Sequence, residues 1–97
     1  MKLDDCRKNI DQIDAKIIDL LNKRAAESDR IGRLKMRAGL PVIDLRREDD
    51  IIRRIARCSD GPMPDKSLAL IYRQILLESR KLQSAMAERF AAAEVEK

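Results

Sequence analysis

The sequence has no histidine and no tryptophan, and only one tyrosine and one phenylalanine. Without an imidazole there is no Ser-His or Cys-His dyad, and no side chain that ordinarily titrates near neutrality. Two aromatic rings in 97 residues leave almost no stacking platform for single-stranded nucleic acid. Cysteine is as scarce. Cys6 and Cys58 are too few to hold zinc without histidine. Their wide separation suits a reducing cytoplasm better than a disulfide scaffold, and both are expected to be buried as small hydrophobes. Only three glycines occur, and the isolated Gly32 is no phosphate-binding loop. No apolar run approaches the roughly 18 residues of a membrane span, and no signal-peptide pattern stands at the N-terminus. The expected location is the cytoplasm, away from any membrane.

What remains is 44% hydrophobic and 39% charged, with only three prolines as breakers. Such a composition, rich in Leu, Ile, Ala, Arg, Lys and Glu, forms long helices. The length predicts one domain over residues 1–97. The net charge is +4, but Asp4, Asp5, Asp11, Asp14, Asp49 and Asp50 interrupt the basic residues. The positive balance is compatible with nucleic acid, an anionic membrane or a small polyanionic substrate, but no basic block of the kind that grips nucleic acid is present, so nucleic acid is not favoured.

Apolar residues recur at Leu3, Cys6, Ile10, Ile13, Ile17, Leu20, Leu21, Ile31 and Leu34. This three–four spacing predicts one helix over about 3–38, ended by Gly39-Leu40-Pro41. Asp44 is a candidate cap for a short helix over about 44–57, with Ile51, Ile52 and Ile55 on its apolar side. A loop containing Gly61-Pro62-Met63-Pro64 leads to a third helix over about 65–90, and residues 91–97 lack a stripe and are expected to fray. The fold class is all-α: long, short, long. A 36-residue helix is a rod of about 54 Å, whereas a compact chain of this size has a radius of gyration near 12.5 Å. The rod overhangs such a globule with its stripe still apolar. Water contact along that stripe is costly, and a second copy would cover it, so an intertwined homodimer is expected.

The informative residues are polar ones on apolar stripes. Advancing about 100° per residue, Arg24 and Lys35 fall within about 10° of the centre of the first stripe, and Ser28 within about 30°. Arg7 sits at its edge. An unpaired buried cation costs several kcal/mol, so Arg24 and Lys35 must meet anions, snorkel, or line a wet cavity. Glu48 shares the face of Ile52 and Ile55 and is a candidate partner for either cation. Arg47 beside it reads as a solvated helix charge. Ser79 and Gln83 follow Tyr72 and Leu76 at helical spacing, as boundary residues or as inward hydrogen-bonders. Together these residues predict a cationic interior pocket with one acid and no obvious nucleophile. That suits binding a small dicarboxylate or phosphate, or a reaction needing only conformational restraint and electrostatic help.

The ordered set Arg7, Arg24, Lys35, Asp44, Arg47, Glu48, Ser79 and Gln83 resembles that of the all-helical (type II) chorismate mutases. The strings that carry the likeness are Leu3-Asp4-Asp5-Cys6-Arg7, Leu20-Leu21-Asn22-Lys23-Arg24 and Ile31-Gly32-Arg33-Leu34-Lys35. Asp44-Leu45-Arg46-Arg47-Glu48 and Ser79-Arg80-Lys81-Leu82-Gln83 complete it, over about residues 3–86. The resemblance implies an intertwined dimer with two sites, each taking Arg7 from the other chain. It implies rearrangement of chorismate to prephenate, in phenylalanine and tyrosine biosynthesis, with no cofactor and no metal. Arg7, Arg24 and Ser79 would serve the substrate carboxylates. Lys35 would serve a carboxylate and the ether oxygen, and Gln83 that same oxygen. Glu48 and the Asp44 backbone N–H would hold the ring hydroxyl, with Arg47 beside them. Ile31, Ile51 and Leu76 would form apolar walls. Ser28-Asp29 departs from the family's more apolar habit. The alternatives are an isochorismate–pyruvate lyase on the same scaffold, against which Glu48 argues, and a non-catalytic helical binding module.

Overall fold

The computed structural model describes residues 2–96, with side chains through Val95. Among them are three helices and no strand: α1 (Leu3–Arg37), α2 (Leu45–Ile55) and α3 (Asp65–Glu96).

Each boundary has a local cause. At the start of α1 the Asp5 carboxylate accepts the Lys2 backbone N–H at 3.1 Å. Asp4 and Asp5 in the first turn, and Lys35 and Arg37 in the last, complement the helix dipole. The end of α1 is a Schellman turn. Gly39 takes a left-handed φ of 70°, its N–H reaches the Met36 carbonyl, and the Leu40 N–H reaches the Lys35 carbonyl at 2.8 Å. Pro41 prevents resumption. The Asp44 carboxylate caps α2 by accepting the Arg47 N–H at 3.0 Å. α3 begins after Pro64, whose carbonyl accepts the Leu68 N–H at 3.1 Å.

α3 differs from expectation. It continues past Phe90 to Glu96 instead of fraying. Ala91, Ala92, Ala93 and Glu94 are strong helix formers, so propensity carries the helix on where no stripe demands it.

α1 and α3 run side by side in the same direction, since Arg24 meets Ser79, Ser28 meets Gln83 and Gly32 faces Met86. α2 packs on α3 but not on α1. The two therefore stand as separate walls on a common floor. The apolar core is small: Ile51, Leu76 and Met86 are its buried side chains among the described residues, with Gly32 buried beside Met86. A Cβ at Gly32 would sit 2.5 Å from the Met86 methyl and 3.6 Å from Val42, so the end of the buried Met86 side chain would have to shift to admit it. Gly32→Val puts branched carbon into that space. It is expected to cost about 2 kcal/mol or more, read as a lower urea midpoint or Tm.

The chain is not a compact three-helix bundle. It measures 61 × 27 × 15 Å with a radius of gyration of 17.4 Å, against about 12.5 Å for a compact chain of this length. The N-terminal half of α1 projects beyond the core, and its stripe is open: Ile10 is 56% exposed, Ile13 53% and Ile17 48%. Cys6, on the same stripe, is exposed as well, as is Cys58, whose thiol donates to the Arg54 carbonyl at 2.8 Å. The expected burial of both cysteines is thus overturned. This chain alone has no core where they lie. No helix among the described residues is long and apolar enough to cross a membrane.

Candidate active site

One face of each helix opens on a cleft of about 210 Å³. From α1 come Arg24, Ser28, Ile31 and Lys35, and from α2 and its cap Asp44, Arg47, Glu48 and Ile51. α3 supplies Leu76, Ser79 and Gln83. The spacing explains the gathering: residues three, four and seven apart on a helix share a face. α1 and α2 turn such faces toward each other, and α3 closes the bottom. Ile31, Ile51 and Leu76, expected as apolar walls, line the cleft, together with Glu27, which stands three residues after Arg24 and four before Ile31, and Val42, a loop residue for which helical spacing gives no signal.

Seven of the eight sequence-predicted site residues are therefore brought together. Arg7 is the exception. It lies about 25 Å along α1 from Arg24, exposed on the projecting half, and cannot enter its own chain's cleft.

A polar chain crosses the floor from α1 to α3. Arg24 Nη1 donates to Ser79 Oγ at 3.4 Å, Ser79 Oγ lies 3.2 Å from Ser28 Oγ, and Gln83 Nε2 donates to Ser28 Oγ at 3.0 Å. All four side chains are half-buried. The acid of the cleft is held differently from expectation. Glu48 pairs with neither Arg24 nor Lys35. It takes a forked contact from Arg80, with Nε at 3.0 and 3.2 Å and Nη2 at 2.7 Å. The planar guanidinium matches both carboxylate oxygens at once, which a lysine cannot do. Arg80 had a signal in the sequence, since it stands four residues after Leu76 and three before Gln83, on their face. Glu27 is likewise engaged, by Arg30 at 2.9 Å, and the Asp44 carboxylate is spent on its cap.

The acids are thus occupied and the cations are not. Among the described residues, Arg24, Lys35 and Arg47 have no carboxylate within ion-pair distance, yet all three line one cleft. The N-terminus of α2 adds the positive end of its dipole at Asp44. Half-burial of Arg24 and Lys35 weakens the screening of their charges by water, whereas Arg47 stands exposed at the rim. Such a site attracts a small guest carrying more than one negative charge, and its apolar walls favour a compact shape for that guest.

Fold and cleft together define a small helical domain built around a cationic, apolar-walled cleft. The chain belongs to the type II chorismate mutase family, whose model matches residues 6–84. It is 40% identical over 79 residues to a bifunctional chorismate mutase/prephenate dehydratase of Aquifex aeolicus, covering 77% of this chain and 22% of that one. It is 34% identical over 80 residues to a chorismate mutase of Methanocaldococcus jannaschii, covering 82% of this chain and 81% of that one. The chain spans only about a fifth of the length of the bifunctional relative. Among solved structures, form II of the chorismate mutase from Thermus thermophilus superposes with a TM-score of 0.82 at 28% identity. That match covers 87% of this chain and 96% of the other.

Proposed function

We propose that this chain is a chorismate mutase, converting chorismate to prephenate in the cytoplasmic synthesis of phenylalanine and tyrosine. The observation that carries the reading is the gathering of three unpaired cations, Arg24, Lys35 and Arg47, with the Gln83 amide in one apolar-walled cleft. Chorismate is a dicarboxylate, and its rearrangement breaks a C–O ether bond while forming a C–C bond within the same molecule. No proton has to move and no nucleophile is needed. What helps is a compact substrate shape and donors aimed at the ether oxygen, where negative charge develops.

In this reading Arg24 and Ser79 hold one carboxylate. Lys35 bridges a carboxylate and the ether oxygen, and Gln83 gives that oxygen a second donor. Glu48, steadied by Arg80, and the Asp44 backbone N–H hold the ring hydroxyl near Arg47. A millionfold acceleration requires about 8 kcal/mol. A preorganised donor to a developing oxyanion is worth about 3–4 kcal/mol. Two such donors with conformer restriction reach that figure without covalent chemistry.

The site is completed in a homodimer. The open stripe of α1 and the elongated shape both support a second copy, and Arg7 of the partner subunit would supply a further cation for a carboxylate. Residues 1–97 act as one mutase domain in this assembly.

The test is disappearance of chorismate with identification of the product. Prephenate formation supports the reading. Release of pyruvate from isochorismate without prephenate formation would replace it with a lyase. Turnover of neither, with salt-sensitive binding to nucleic acid, would make the chain a binding module.

A further inference from the structure

Ser28 lies on the α1 stripe and in the cleft, yet the proposed reaction gives it nothing to hold. Its hydroxyl stands between two groups that the reaction does use. Gln83 Nε2 is 3.0 Å away on one side and Ser79 Oγ 3.2 Å away on the other, with Arg24 donating to Ser79 in turn.

Donor and acceptor accounting sets the direction of this chain. An arginine only donates, whereas a hydroxyl has one proton and two lone pairs. A carboxylate bound beside Arg24 accepts a hydrogen bond from the Ser79 hydroxyl, because an ionised carboxylate can only accept. Ser79 then cannot donate to Ser28, so the Ser28 hydroxyl donates its hydrogen bond to Ser79 Oγ. With that proton committed, Ser28 can only accept from Gln83. A primary amide has two faces of opposite polarity, and turned over it would aim its carbonyl at the ether oxygen. Ser28 removes that choice: the amide nitrogen must face it, and the second N–H is left for the guest.

We propose that Ser28 is a positioning residue that sets the Gln83 amide with its donor toward the guest, through a hydroxyl relay polarised by the carboxylate at Ser79. The proposal rests on the mutase reading above. Ser28 acts on the reaction only through Gln83 and does not touch the ether oxygen.

The experiment compares wild type, Ser28→Ala, Ser28→Thr, Gln83→Ala and the Ser28→Ala/Gln83→Ala double variant. Alanine is favoured over serine in a helix, so folding is retained, checked by circular dichroism. Ser28→Ala is expected to lower kcat about three- to tenfold with KM within about twofold, the size of one intramolecular hydrogen bond. Ser28→Thr, which keeps the hydroxyl, restores kcat. The double variant loses no more than Gln83→Ala alone, because the route through Gln83 is already cut. In ¹⁵N-labelled protein the Gln83 side-chain NH₂ signals, assigned by their loss in Gln83→Ala, shift in Ser28→Ala. Unchanged kcat in Ser28→Ala, or losses that multiply in the double variant, would overturn the proposal. A wild type that leaves chorismate untouched would overturn the functional reading. The NH₂ signals then decide the Ser28 contact alone, and signals indifferent to Ser28→Ala overturn it.

Discussion

Lys35→Ala is expected to lower kcat/KM for chorismate by about a thousandfold, with helix content unchanged. The size follows from the position. Lys35 is half-buried on the cleft wall, without a carboxylate partner among the described residues, so its ammonium is free for the guest. Loss of one donor to a developing oxyanion costs about 10²–10³ in kcat, and lost attraction for a carboxylate adds to KM. Lys35→Arg separates the two terms. It keeps the charge, and so the KM, but replaces a compact point donor with a planar fork that misses the ether oxygen. Its kcat should stay low. Steady-state kinetics on both variants read the split. A Lys35→Ala enzyme with near-wild-type kcat/KM would remove Lys35 from the reaction.

The second large effect is recovery of activity when two dead enzymes are mixed. Arg7→Ala and Arg24→Ala homodimers should each lose about a hundredfold or more in kcat/KM, since each leaves a carboxylate without its cation. Arg7 is about 25 Å along the helix from Arg24, too far for both to serve one site of one chain. In a mixed dimer, one site collects the intact Arg24 of one chain and the intact Arg7 of the other, and the second site lacks both. Equal mixing makes about half the dimers mixed, with one of their two sites restored. The expected activity is about one quarter of wild type, against near zero for either variant alone. Exchange is verified by mass spectrometry of differently tagged chains. Proven exchange with no recovery would show that Arg7 and Arg24 do not meet in a site shared between two chains.

The helices are legible because their signals are local. The three–four spacing in α1, the Asp44 cap and the Gly39-Leu40-Pro41 stop act within a few residues, and the observed ends of α1 and α2 lie within two residues of expectation. The end of α3 escapes that reading. Lack of a stripe does not mean lack of a helix, because alanine needs no burial to stay helical. The cysteines escape it for the opposite reason. Their type favours burial, but the elongated chain has no interior at either position.

The sequence alone decided which residues would face inward. A charged residue at helical spacing with Leu and Ile must lie on their face, because the turn of the helix is fixed by backbone geometry. Arg24, Lys35, Glu48 and Gln83 are marked that way without coordinates. Partner choice is not. Arg24, Lys35 and Arg80 all offer Glu48 a cation from a neighbouring helix, and only the packing of α2 on α3 selects Arg80. The same packing of helix on helix joins Ser28 to Gln83 across 55 positions of chain. Facing is a property of one helix. Pairing depends on the distance and angle between two, and no local spacing encodes those.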